Sequence, residues 1–384
     1  MIYFDNAATG GFKAFSVQET VPTAIKHLCA NPTRSSHRLA STGGEFVYKT
    51  RALVQKTFSA PSVDRVVFTK NCTEALCTAI LGILKKGDHV ITTCMEHNSV
   101  LRPLEHLKTQ KGVEVDYIFP EKAAYFSQKP LITFERVKPL LKKNTRLVIT
   151  NHASNVNGSM TDVREIGRAL KAERPDVIYL VDGAQSGGHL PIDMQDFGID
   201  VLCLACHKAL GGIMGLGALL FSDSTEILPL MFGGTGSDSL SLSQPDYYPD
   251  RLESGTLNLP ARIGLYEGLM HTASNLDFIP TQLVNMTDAL LGYLSKVSGV
   301  TVYSVPNPFG IVAFSLNGIS SDECAHRLSD EFDIAVRGGL HCAPLMHKYL
   351  GTENKGLVRA SLSTQNTFRE ITCFVRAIEQ ILSN

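Results

Sequence analysis

From about residue 65, short apolar runs alternate with amphipathic segments, a rhythm that restricts the chain to βα units wound around a mainly parallel sheet. Arg65-Val66-Val67-Phe68-Thr69 reads as a strand and Lys70-Asn71-Cys72-Thr73 as a turn. Glu74 to Leu84 then reads as a helix that Gly87 ends. Further strands are expected at His89 to Thr93, Val113 to Ile118, Arg146 to Thr150, Val177 to Val181, Val201 to Ala205 and Leu216 to Phe221. Thr161 to Glu173 sets Val163, Ile166 and Leu170 on one face, as a crossover helix packed on a sheet does.

Residues 229–258 break the rhythm. Pro, Gly, Ser and Tyr dominate there, so the segment reads as a long ordered loop that could cross a subunit boundary. After about residue 268 a smaller α+β unit follows, ending in a helix opened by the capping box Thr367-Phe368-Arg369-Glu370. Its expected buried stripe is Phe368, Ile371, Phe374, Val375, Ile378 and Ile381. The expected division is a large domain over 15–268 and a small C-terminal domain over 269–384, with residues 1–14 packing near the latter; a chain of 384 residues is long enough for both.

Composition limits the partners. The formal charge of -1 carries no general attraction to nucleic acid or membrane, and no apolar run is long enough to span a bilayer. No secretory signal is visible after Met1, so the expected location is cytoplasmic. Nine cysteines without a framework then read as reduced thiols, mostly small buried hydrophobes.

Chemistry concentrates where open α/β sheets bind ligands, at the carboxyl ends of strands. Val181-Asp182-Gly183-Ala184-Gln185 sets a carboxylate at one strand end, and Ala205-Cys206-His207-Lys208 sets a lysine past the next. Pyridoxal 5'-phosphate needs that pair: a lysine amine holds its aldehyde as a Schiff base, and a carboxylate keeps the pyridine nitrogen protonated. Gln185 could bond the ring hydroxyl, and His207 could add a donor. Asn71-Cys72-Thr73, opening a helix, offers backbone N–H groups and a hydroxyl to the phosphate. Taken singly, a lysine after a strand is ordinarily a solvated charge and Thr73 an N-cap residue; their joint spacing carries the argument.

The chain resembles the class V aminotransferase superfamily of fold-type I enzymes, and within it the group II cysteine desulfurases and selenocysteine lyases. The resemblance covers nearly the whole chain: Tyr3-Phe4-Asp5-Asn6-Ala7-Ala8-Thr9, Met95-Glu96-His97-Asn98, Ser154-Asn155-Val156, the Asp182 and Lys208 segments, Glu253-Ser254-Gly255-Thr256, Arg337-Gly338-Gly339-Leu340-His341-Cys342-Ala343-Pro344 and Val358-Arg359-Ala360-Ser361. It implies a stacking and acid/base role for His97, a cofactor or substrate ligand at Asn155, and an α-carboxylate grip by Arg359 with Arg337 beside it. It further implies that Thr256 reaches the phosphate of a neighbouring subunit, hence a homodimer with shared active sites. Cys342 matches the desulfurase nucleophile that takes sulfur from L-cysteine as a persulfide and passes it to an acceptor protein, as in iron–sulfur cluster assembly. Arg337 and His341 are expected to favour its thiolate.

Two departures stand out. Ala205 occupies the place of a phosphate-binding serine, which removes one hydrogen bond, and Leu340 replaces the first of two histidines before the cysteine. Cys203 and Cys206 have a C-x-x-C spacing but no second ligand pair, so no metal is expected. His37, in Arg34-Ser35-Ser36-His37, matches a family segment near the site and equally suits a structural role. Selenocysteine lysis, transamination or β-elimination by the same cofactor, and a non-catalytic sulfur-carrier scaffold remain as alternatives.

Overall fold

The computed structural model describes residues 1–28, 30–32, 35–121 and 129–383; Cys29 and Arg34 lie outside them. The order is β1 (Ile2–Tyr3), α1 (Phe15–His27), α2 (Arg38–Phe58), β2 (Val66–Thr69), α3 (Cys72–Ile83), β3 (His89–Thr93), α4 (Asn98–Lys111), β4 (Glu114–Ile118), α5 (Phe134–Val137) and β5 (Thr145–Asn151). It continues with α6 (Val163–Glu173), β6 (Ile178–Asp182), β7 (Val201–Ala205), β8 (Gly217–Phe221), α7 (Leu259–Asn275), α8 (Ile279–Leu294), β9 (Val300–Val302), β10 (Ile311–Leu316), α9 (Ser321–Phe332), β11 (Ile334–Ala335), α10 (Pro344–Leu350), β12 (Val358–Ser361) and α11 (Phe368–Ser383).

The chain is an α/β protein built on a seven-stranded sheet of order β2-β8-β7-β6-β5-β3-β4. Only β8 runs against its neighbours; the other adjacent pairs are parallel. Strands β3, β6, β7 and β8 are buried along their whole length, which is why they read as continuous apolar runs rather than alternating ones. Because β2 is antiparallel to β8 and β8 to β7, β2 points the same way as β7. The carboxyl ends of β2, β3, β5, β6 and β7 therefore open on one edge.

The expected strands lie close to the observed ones. Helix α3 starts earlier than expected, at Cys72, because Asn71 caps it by accepting the Glu74 N–H at 2.9 Å. It ends at Ile83, and Gly87, with φ 76°, turns the chain into β3 instead of ending the helix. A second, antiparallel sheet of order β12-β10-β9 carries its own core with α8, α9 and α11. Parallel pairing of β1 with β11 ties the N-terminus beside it. Residue 268, the expected division, lies within α7.

The capping box forms: Thr367 N–H donates to Glu370 Oε2 at 2.7 Å and Glu370 N–H to Thr367 Oγ1 at 3.2 Å. Of the expected stripe, Phe368 is 55% exposed while the other five are buried. As the first helical residue it leans back past the end of the core, so the stripe begins one turn later.

The loop 229–258 contains no helix or strand and is pinned at its far end by Glu253. The Glu253 carboxylate accepts Arg51 through both oxygens at 2.9 and 3.0 Å, Arg262 Nη2 at 3.2 Å and the Phe68 N–H at 2.6 Å. Burial pulls this carboxyl upward, and the two guanidiniums more than offset it, holding its pKa below the ordinary value. Glu253→Ala leaves two buried cations uncompensated and is expected to cost about 3–5 kcal/mol, read as a lower denaturant midpoint. The depressed pKa means that this stabilisation is complete above the unfolded carboxylate pKa of about 4.3 and disappears as pH falls through the folded value.

Candidate active site

The shared edge of the large sheet, the α3 N-terminus and residues from the second sheet enclose a cavity of about 200 Å³. Ten of the residues singled out in the sequence line it: Cys72, Thr73, His97, Asn155, Asp182, Gln185, His207, Lys208, Arg337 and Arg359. Cys342 and Thr256 do not line it. A larger cleft of about 430 Å³, between residues 6–14 and helices α7 and α8, shares Ala7 and Lys208 but none of the other nine.

Asp182 is the last residue of β6, and Lys208 stands three residues past the end of β7. Asp182 Oδ1 accepts the Ala184 N–H at 2.9 Å and the Cys72 thiol at 3.8 Å. Burial raises the Asp182 pKa, while the Ala184 N–H, Lys208 and Cys72 pull it back. Burial lowers Lys208, against the pull of Cys72 and Asp182. A larger share of its amine is then unprotonated, the form that attacks a carbonyl.

The turn before Lys208 is clasped from the N-terminal segment. The His207 carbonyl accepts Lys13 Nζ at 2.8 Å and the Gly10 N–H at 3.1 Å, and His207 Nδ1 pairs with Thr9 Oγ1 at 3.0 Å. Burial, then the charges of Lys208 and Lys13, push His207 down to about 4.

His97 caps α4. Its Nδ1 accepts the Ser99 N–H at 3.0 Å, which places the proton of the neutral ring on Nε2. Burial first, then Lys208 and three arginines, push His97 down to about 4. Ser99 Oγ lies 2.7 Å from Thr73 Oγ1, so the two expected ligands share a hydroxyl relay.

Asn155 is a node. Its Nδ2 donates to the His341 carbonyl at 2.7 Å and its carbonyl accepts Arg359 Nη1 at 2.8 Å, while Oδ1 is buried without a partner. Arg359 also donates through Nη2 to Asp5 Oδ1 at 2.9 Å, and its buried Nε has no partner. Gln185 Nε2 donates to the Ala7 carbonyl at 3.1 Å.

Cys342 is partly buried, with Sγ 4.0 Å from Arg337 Nη2. Its loop is held by the Cys342 carbonyl on the Asn98 N–H at 2.7 Å and by reciprocal backbone bonds between Arg337 and Arg359. His341 and Cys342 both take left-handed backbone, with φ 50° and 56°. The expectation that His341 helps to charge the thiol is corrected: burial, then Arg359, push His341 down to about 2, so it is neutral and contributes no positive charge.

Thr256 is exposed on its own chain. Cys203 and Cys206 are buried thiols, and among the described residues no group of His, Cys, Asp or Glu could hold a metal. His37 caps α2 by accepting the Ala40 N–H and does not line the cavity. Sequence reasoning missed the roles of Asp5, Lys13 and Ser99, and also Glu96, a carboxyl raised to about 8 by burial although it accepts Thr93 Oγ1 and the Asn151 N–H. Asp5 lay within a recognised segment, but only folding reveals its partner.

Residues 2–374 match the aminotransferase class-V family. A probable cysteine desulfurase of Methanothermobacter thermautotrophicus is 32% identical, covering 99% of this chain and 94% of that protein. One from Pyrococcus abyssi is also 32% identical, covering 100% and 95%. The apo structure of a cysteine desulfurase from Thermococcus onnurineus NA1 superposes with a TM-score of 0.90 at 30% identity, covering 100% of this chain and 94% of that one. No helix among the described residues is long and apolar enough to cross a membrane.

Proposed function

This chain belongs to the aminotransferase class-V family, and from that premise we propose that it is a pyridoxal-phosphate-dependent cysteine desulfurase using Cys342 as nucleophile. The observation that carries the reading is one cavity holding an acid at the end of β6, a half-buried lysine past β7 and a helix N-terminus, with a thiol 4.0 Å from an arginine in its wall.

The residues present suit the cofactor. Lys208 would hold it covalently, Asp182 would face its ring nitrogen, and the α3 N-terminus with Thr73 would receive its phosphate. Asn155 Oδ1, buried without a partner, suits the ring hydroxyl, with Gln185 and His207 on the same walls. When bound, the cofactor supplies an electron sink for charge developing at the substrate Cα.

Arg359 then receives the α-carboxylate of L-cysteine, with Arg337 beside it. Lys208, once its amine is free, takes the Cα proton. The Cys342 thiolate, drawn by the Arg337 guanidinium, attacks the substrate sulfur. A sulfur–sulfur bond forms, the substrate Cβ–S bond breaks with its electron pair passing to the carbon fragment, and protons return to release L-alanine. His97, neutral with Nε2–H, supplies a donor at the cavity wall and excludes water. The persulfide left on Cys342 passes to an acceptor protein.

Exposed Phe232, Leu240 and Leu242 in the long loop, together with exposed Thr256, support a homodimer in which that loop completes the neighbouring site. Ala205 lines the cavity with no hydroxyl to offer. Ala205→Ser is expected to tighten cofactor binding by about 0.5–1.5 kcal/mol, measured by equilibrium titration of the apo-protein. For the activity itself, cofactor-loaded enzyme given L-cysteine and a thiol is expected to release alanine and sulfide in equal amounts. Pyruvate and ammonia in place of alanine, with sulfide still released, would replace this reading with β-elimination.

A further inference from the structure

Resting on the reading that Arg359 receives the substrate α-carboxylate, we propose that Asp5 is a positioning residue that sets how tightly that carboxylate is held. The N-terminal strand brings it there: β1 pairs with β11, and Asp5 bridges to Ser361, two residues beyond Arg359 on β12. The Arg359 side chain is 1% exposed and that of Asp5 22%.

Each terminal nitrogen of the guanidinium already donates once within the chain, Nη2 to Asp5 Oδ1 at 2.9 Å and Nη1 to the Asn155 carbonyl at 2.8 Å. Nε is buried and donates to nothing. An unpaired N–H in so buried a group marks the edge at which a ligand oxygen completes the set. A carboxylate docking on that edge lies beside Asp5 and shares the guanidinium with it.

Asp5 then acts in two opposing ways. Its hydrogen bond orients the guanidinium before a ligand arrives, which favours binding. Its negative charge neutralises the cation and repels the incoming carboxylate, which opposes binding. With the Arg359 side chain almost wholly buried and Asp5 only partly exposed, water screens the charge effect incompletely, and it is the larger of the two. Substrate and product both bear an α-carboxylate, so a half-neutralised arginine lets L-alanine leave after each turnover. Without Asp5, Arg359 and the nearby Arg337 would face that carboxylate unopposed.

Asp5→Asn keeps an acceptor oxygen for Nη2 and removes the charge; Asp5→Ala removes both. Binding of L-alanine to the cofactor-loaded enzyme is measured by calorimetry, with L-alaninamide, which lacks the carboxylate, as control. Asp5→Asn is expected to bind L-alanine on the order of tenfold more tightly, with L-alaninamide unchanged and Asp5→Ala losing part of the gain. If Asp5→Asn does not load cofactor, Asp5→Ser is judged by the same numbers. Unchanged or weaker L-alanine binding, or an equal gain for L-alaninamide, overturns the proposal, since a merely structural role predicts weakening. Wild-type enzyme that neither forms alanine from L-cysteine nor binds it would instead overturn the parent reading, whatever Asp5 does.

Discussion

Cys342→Ala is expected to load cofactor normally and to lose release of alanine and sulfide from L-cysteine by at least about a thousandfold, the scale on which removing an acting nucleophile is felt. The fold should survive. The loop is held through backbone groups, namely the Cys342 carbonyl on the Asn98 N–H and the His341 carbonyl on Asn155 Nδ2, and neither bond involves the thiol. Assays of alanine and of sulfide under excess thiol give the result directly. A variant that keeps full turnover would make the thiol a bystander. L-selenocysteine is the informative second substrate, because a selenol side chain can release selenium without that nucleophile. Loss on cysteine with retention on selenocysteine is compatible with both a desulfurase and a selenocysteine lyase, so the ratio of wild-type rates on the two substrates decides between them.

Lys208→Ala is expected to abolish the visible absorbance of the cofactor-loaded protein, to leave no adduct that borohydride can fix, and to reduce turnover on the order of ten-thousandfold or more. Two neighbours should report the missing charge. Lys208 contributes to the depression of His97 and restrains the rise of Asp182, so without it both pKa values move upward. An Asp182 that ionises less readily is a poorer partner for a protonated ring nitrogen, which adds to the loss. Titration of His97 by NMR in the apo-protein separates that electrostatic effect from loss of the amine itself. An unaltered absorbance in Lys208→Ala would place the covalent attachment elsewhere.

Much of this was legible in the sequence, for identifiable reasons. Strands such as β6 and β7 are buried on both faces, so apolar composition alone marks them, and the polar residue ending such a run must lie at the sheet edge. Asp182 and Lys208 are visible on that ground. What stayed hidden is contact between distant segments: Asp5 with Arg359, 354 residues apart, or Arg51 with Glu253, 202 apart. Burial is equally invisible at a loop residue. His341 sits in a polar, glycine-rich stretch, yet it is buried, packing in parallel with His347 at 5.7 Å between ring centroids, and that burial, with Arg359 next, lowers its pKa. Phe368 errs in the opposite direction, since periodicity continues to the first turn of a helix while the core beneath it does not.

The central claim is that one thiol takes sulfur from an amino acid whose α-amine is handled at Lys208. It is tested most directly by giving the cofactor-loaded enzyme one equivalent of L-cysteine per active site, with no added acceptor or reductant, and analysing the protein by peptide mass spectrometry. The account predicts one equivalent of alanine per active site and the mass of one added sulfur atom on the peptide containing Cys342. Alanine formed with no added sulfur there, or sulfur carried on a different cysteine, would contradict it.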